Sequence, residues 1–180
     1  MPEQSLADAI RSFTSERSYR AATVDHWLQL EPSDASALLQ LARELRLGEN
    51  QLRALWDWAE EIGRRDGLSL TTVLDLEPVV AARRRAVGRN DVLKGVKAAL
   101  RRLRLPQLAA VEDRLAVLVR QLDLPPTVQI TFPEFLEGDN VRVEIVVSSA
   151  PGLRAALASL QAAASAPLCD EIFGLLGQAP

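Results

Sequence analysis

Apolar residues in this chain return at three- and four-residue steps almost throughout. Only once, after Pro125-Pro126, does the step fall to two. That change of period narrows the fold more than any other feature, because steps of three and four build one face of a helix while steps of two build one face of a strand. Leu6, Ala7, Ile10 and Phe13, then Val24, Trp27 and Leu28, predict two short helices before residue 30. Pro32 stops the chain, and Ser33 or Asp34 is suited to cap a new helix that buries Leu38, Leu41, Ala42 and Leu45. Leu47-Gly48-Glu49-Asn50 reads as a tight turn, and Gln51 to about Ile62 as the next helix. Gly63 to Gly67 breaks the pattern, Leu70 to Leu76 gives a short helix or turn, and Pro78 opens a new element. Val79 to Leu103 reads as one helical stretch kinked near Gly88, with Leu93, Val96, Leu100 and Leu103 inward. Beyond Pro106, the residues Leu108, Val111, Leu115, Leu118 and Leu122 form a stripe suited to a partner helix.

In the stretch of period two, Val128, Ile130 and Phe132 share one face, and Val141, Val143, Ile145 and Val147 share another. With a turn at Glu137-Gly138-Asp139-Asn140, two antiparallel strands are expected. Pro151 opens a helix with Leu153, Leu157 and Leu160 on one side, and Leu168 to Leu176 supplies a last short one. The expected fold class is α+β and mostly α. It comprises a helical bundle over residues 1–78, a basic helical connector over 79–105 and an α-β-β-α module over 106–180. A lone two-stranded hairpin is marginally stable in water, and its edges stay open. Dimerisation with a second copy follows as an expectation, through Leu115, Leu118, Leu122, Val143, Ile145, Val147, Leu157 and Leu160.

The formal net charge of −3 hides a sharp segregation. Residues 1–80 carry a balance of −6 and residues 106–180 a balance of −5. Between them, residues 81–105 hold nine basic side chains against the single acid Asp91. Arg83, Arg84, Arg85, Arg89, Lys94, Lys97, Arg101, Arg102 and Arg104 fit a helix whose apolar face packs inward while its cationic face meets phosphates. A solvated face, or ion pairing with the acidic segment before it, is the structural alternative. A second pointer to DNA is the stretch Leu41 to Leu55, which has the apolar spacing of a helix-turn-helix. Ala42 would sit at the helix crossing, Leu45 and Leu47 would pin the turn, and Leu52 and Leu55 would anchor the second helix, leaving Gln51 and Arg53 to face the major groove. The usual turn glycine is Arg46 here, and the presumed reading helix carries Asp57, Glu60 and Glu61, which phosphates repel. An ordinary helical hairpin is the alternative.

Catalysis needs a nucleophile, base and orienting group together, or a metal cage, and no such set is visible. The one histidine, His26, stands beside Trp27 without a second histidine or cysteine near it, and Cys169 suits burial as a small apolar residue. Glu134, Glu137 and Asp139 cluster at the hairpin turn as solvated acids do. No enzyme, metal or cofactor is expected. No run approaches the roughly 18 apolar residues of a membrane span, and the first residues lack a secretory pattern, so a cytoplasmic protein is expected.

The C-terminal pattern resembles the dimerisation module of ParB-type partition proteins. Leu108 to Leu160 carries the likeness, with Val128–Phe132 and Val141–Val147 as strands and Leu153–Leu160 as the closing helix. The helix-turn-helix at Leu41 to Leu55 is also part of that plan. Ser15-Glu16-Arg17-Ser18-Tyr19-Arg20-Ala21-Ala22 is similar to the family's CTP-contacting segment, but only Thr14 separates it from Phe13, too little for a nucleotide-binding domain. The resemblance implies a DNA-binding homodimer without the CTP switch. The competing expectation is a protein–protein adaptor that dimerises through the same module, for which the acidic N-terminal part and Trp27, Trp56 and Trp58 speak.

Overall fold

The computed structural model describes residues 5–84, 88–138 and 140–177. It is mostly helical with one two-stranded antiparallel sheet, an α+β fold dominated by helix. The chain divides into two compact units, residues 1–104 and 105–180.

The first unit contains α1 (Leu6–Ser15), α2 (Ala21–Leu28), α3 (Pro32–Glu44), α4 (Glu49–Asp66), α5 (Leu70–Leu74), α6 (Glu77–Arg84) and α7 (Arg89–Arg104). Their apolar faces meet in one core from Ile10 to Leu100. α4 lies at its centre, with Leu52, Leu55, Trp56, Ala59 and Ile62 buried against neighbours that include α5 and α7. Trp27 of α2 is fully buried, and its indole N–H donates to the Ala35 carbonyl at 3.1 Å, so its polar atom is satisfied inside the core. Phe13 stands edge-on to both Tyr19 and Trp27.

Several boundaries and caps differ from the sequence expectation, each for a physical reason. α3 begins at Pro32, whose ring presets the backbone angle of a first helical residue. Asp34 does not cap its own helix. Its carboxylate accepts from the Thr71 N–H at 2.8 Å and the Thr71 hydroxyl at 2.7 Å, tying α3 to the start of α5. α4 continues through Gly63 and stops at Gly67, which takes the left-handed conformation at φ +69°. Gly63 is a contact residue instead of a breaker, since a Cβ there would stand 2.6 Å from the Leu68 carbonyl oxygen. In place of one kinked helix, α6 and α7 pack against each other, with Gly95 facing Ala82. Val79, Ala82, Val92, Leu93, Val96, Ala99 and Leu100 join the first core, so residues 79–104 belong to it and do not form a separate connector.

The second unit runs α8 (Pro106–Gln121), β1 (Val128–Thr131), a 3-10 turn (Glu134–Leu136), β2 (Arg142–Ile145), α9 (Ala150–Ala164) and α10 (Pro167–Leu176). The strands pair antiparallel with Val128 opposite Ile145, Gln129 opposite Glu144, Ile130 opposite Val143 and Thr131 opposite Arg142. They are shorter than the alternation suggests, and the tight turn is replaced by a longer connection in which Phe135 and Leu136 take positive φ. Asp139 and the side chain of Glu134 lie outside the described residues. Leu108, Leu115 and Leu118 of α8 meet Leu136 and Ile172 and Leu176 of α10 in the unit's core, and Arg114 pairs with Glu171 across the same two helices. Leu115 and Leu118 were expected at a dimer interface; they are internal because α10 covers the stripe they form.

Gly63→Ala is expected to lower stability by about 1–3 kcal/mol through forced backbone displacement, although alanine favours helix by about 1 kcal/mol. Urea unfolding checks this; an unchanged or raised midpoint would contradict the close approach at Leu68.

Candidate nucleic-acid interface

The helix, turn and second helix expected between Leu41 and Leu55 are present as α3, residues 45–48 and α4. α3 ends in a Schellman arrangement, with the Leu47 N–H donating to the Ala42 carbonyl at 2.9 Å and the Arg46 N–H to the Arg43 carbonyl at 3.2 Å. The left-handed residue this motif requires is Arg46, at φ +46°, so the position usually given to glycine keeps its geometry without one. Ala42, Leu45, Leu47, Leu52 and Leu55 are all buried, as their spacing predicts. The Tyr19 hydroxyl donates to the Leu47 carbonyl at 2.9 Å, and burial pushes its pKa up to about 12.

The start of α4 is occupied by its own neighbours. Gln51 turns its side-chain oxygen back to accept the Gly48 N–H, which is a capping role and not a base-reading one. Glu49 accepts from the Thr23 hydroxyl at 2.6 Å and the Arg20 N–H at 3.3 Å, joining α2 to α4. The Thr23 hydrogen bond first, then Arg20 and Arg53, hold the Glu49 carboxyl below the usual glutamate range. Arg53 is exposed and lines a groove of about 290 Å³ with Arg20, Thr23, His26 and Trp56. His26 stacks on Trp56 at 4.5 Å between ring centroids. Along α4, Glu49, Asp57, Glu60, Glu61 and Asp66 outnumber Arg53, Arg64 and Arg65, so its outer side repels phosphates overall.

The basic run divides into two groups. Arg83 pairs with Glu44 at 2.6 Å with its side chain only 18% exposed, and Arg104 pairs with Glu61 at 2.6 Å. Both guanidinium groups therefore tie α6 and α7 to α3 and α4. Arg65 adds to this seam by donating to the Leu103 and Arg104 carbonyls. Lys94, Lys97 and Arg101 follow one another at three- and four-residue steps on α7, with Arg102 beside them, while Val92, Leu93, Val96 and Leu100 fill the opposite face. Arg84 and Arg89 are exposed, and Arg89 donates to the Asn90 side-chain oxygen at 3.3 Å. Arg85 lies outside the described residues.

The second unit is unlike the first in what it leaves uncovered. Among the described residues, all six large apolar side chains classed as exposed belong to it, namely Phe135, Val143, Val146, Leu153, Leu157 and Phe173. Of the residues expected at a self-interface, Val143 and Leu157 are exposed, and Leu122, Ile145, Val147 and Leu160 are half-buried. Sequence spacing signals Leu153, four residues before Leu157, and places Val146 on the outward side of the second strand with Arg142 and Glu144, but it gives no sign of Phe135 or Phe173. Among the described residues no group of three or more His, Cys, Asp or Glu side chains could hold a metal ion, and no helix is long and apolar enough to cross a membrane. Comparison with protein-family models, curated proteins and solved structures gave no match to this chain.

Because the folded pKa of Glu49 is depressed, its contribution is complete above the ordinary glutamate value of about 4.3 and is lost as pH falls through the lower folded value. Glu49→Gln should lower Tm at pH 7 and shrink the gap to wild type at pH about 3. Thermal melts at the two pH values check this, and an equal gap at both would sink it.

Proposed function

We propose that the chain is a non-enzymatic DNA-binding homodimer that contacts backbone phosphates along α7 and joins its two copies through the second unit. The observation that carries the DNA contact is the division of α7 into two faces. One is locked into the core by Val92, Leu93, Val96 and Leu100; the other presents Lys94 and Lys97 on a helix whose single acid is Asp91. A rigid helix bearing spaced cations suits a regular array of phosphates, and no base contact is needed for affinity. α4 offers little sequence readout, since Gln51 caps and the outer face is acidic. The binding is therefore proposed to be weakly sequence-selective.

Self-association is supported by the uncovered apolar side chains and by the pattern of β2. The ladder to β1 uses the amides and carbonyls on the side of Arg142, Glu144 and Val146, so those of Val143 and Ile145 face the opposite edge. If two copies of β2 pair antiparallel about Val143, each Arg142 falls opposite Glu144 of the partner subunit, while valine meets valine on the other face. Opposite charges facing across strands add roughly 0.2–1 kcal/mol each. Joined sheets of this kind would also cover part of the exposed apolar surface.

An adaptor reading is favoured by one observation, that Arg83 and Arg104 are engaged in internal ion pairs and so are withdrawn from any polyanion. Fluorescence-anisotropy titration against a labelled generic duplex at about 50 and 200 mM salt separates the two. The DNA reading predicts binding that collapses at the higher salt. Lys94→Ala with Lys97→Ala should then lower the slope of log K against log salt by about 2. No binding at the lower salt would leave the adaptor reading.

A further inference from the structure

A second concentration of positive charge lies away from the outer face of α7, where the end of α1 meets the end of α3. Ser12, Phe13, Glu16 and Arg17 form one wall of a cleft of about 200 Å³, and Arg43 and Arg46 form the other. The guanidinium of Arg17 lies over the Phe13 ring, 4.2 Å from its centroid, and Phe13 is itself buried and fixed by Tyr19 and Trp27. A guanidinium held over an aromatic ring by its charge keeps its N–H donors for hydrogen bonding. One of them meets Glu16 at 3.2 Å. Arg43 and Arg46 have no carboxylate partner among the described residues.

Charge accounting favours an external anion. Arginines near helix C-termini ordinarily answer the negative end of the helix dipole, about half a unit charge per helix. The ends of α1 and α3 together then account for about one unit. Three arginines against the single acid Glu16 leave two, so roughly one positive charge is surplus. Arg46 takes the left-handed position of the turn that ends α3, at φ +46°, and lines the cleft beside Arg43.

We infer that this cleft binds a phosphate group, held by the in-plane donors of Arg17 and by Arg43 and Arg46, with the Ser12 hydroxyl within the same cleft. The site is separate from the cationic row of α7 and does not require the DNA reading to hold. A free phosphate ester and a nucleic-acid backbone present the same chemistry to it.

The test uses the full chain and inorganic phosphate as the probe. Arginine Nε–H resonances are followed by NMR during a phosphate titration, against chloride at matched ionic strength. Saturable shifts are expected at Arg17, Arg43 and Arg46, with affinity about tenfold weaker in Arg46→Gly and in Arg43→Gln, the worth of one charge-assisted hydrogen bond. Arg46→Gly should melt at the same temperature as wild type or higher, because glycine relieves the left-handed strain, so loss of binding in it cannot be laid to misfolding. Competition by a short duplex would identify the source as a nucleic-acid backbone, and persistence of the shifts beside duplex would identify a free phosphate ester. Equal shifts with chloride, or unchanged phosphate affinity in Arg46→Gly and Arg43→Gln, would overturn the proposal.

Discussion

The buried face of α4 is the contact on which the first unit depends. Leu52, Leu55, Trp56, Ala59 and Ile62 form one wall against which α2, α5 and α7 are placed, and the closeness of Gly63 to Leu68 sets where the chain leaves it. Polar ties then fix each neighbour in angle and register. Glu49 holds α2 through Thr23, Arg83 reaches Glu44 on α3, and Arg104 reaches Glu61 on α4. Exposed ion pairs contribute little energy, but ties at both ends of the α6–α7 pair restrain how its helices rotate. With the inner face of α7 so anchored, its outer row of cations is presented by a fixed element.

Burial is spread unequally between the units. Among the described residues, twenty-five buried apolar side chains lie in the first and ten in the second. A small unit with few buried side chains gains little from its own core. It also exposes Val143, Leu157 and the other large apolar groups, which favours covering them with protein. α9 shows this most plainly: its inner positions are the small Ala156 and Ala163, while Leu153 and Leu157 point outward.

Much of the fold was legible because period alone separates helix from strand. The helices at Ile10–Phe13, at Leu38–Leu45 and at Leu52–Ile62 and the strands at Val128 and Val143 stand where their spacing put them. Features set by distant contacts were not legible. A continuous helical period cannot distinguish one kinked helix from two packed ones; the packing of α6 on α7, with Gly95 against Ala82, distinguishes them. Asp34 reads as a cap for its own helix until Thr71 arrives from thirty-seven residues away. The α8 stripe looked available for a partner because α10, which covers Leu115 and Leu118, follows much later in the chain. At the interface, residue type showed which side chains were cationic but not which were spoken for, since Glu44 and Glu61 lie about forty residues from the arginines they neutralise.

The proposed dimer joins these observations, since it would cover exposed apolar side chains of the second unit and double the cationic face. Sedimentation equilibrium of the full chain at micromolar concentration tests it most directly. Twice the chain mass is expected for wild type, and a single mass for Val143→Lys combined with Leu157→Lys. The fluorescence of Trp27, Trp56 and Trp58, all in the first unit, should be the same in both. A single chain mass for wild type across that concentration range would contradict the account.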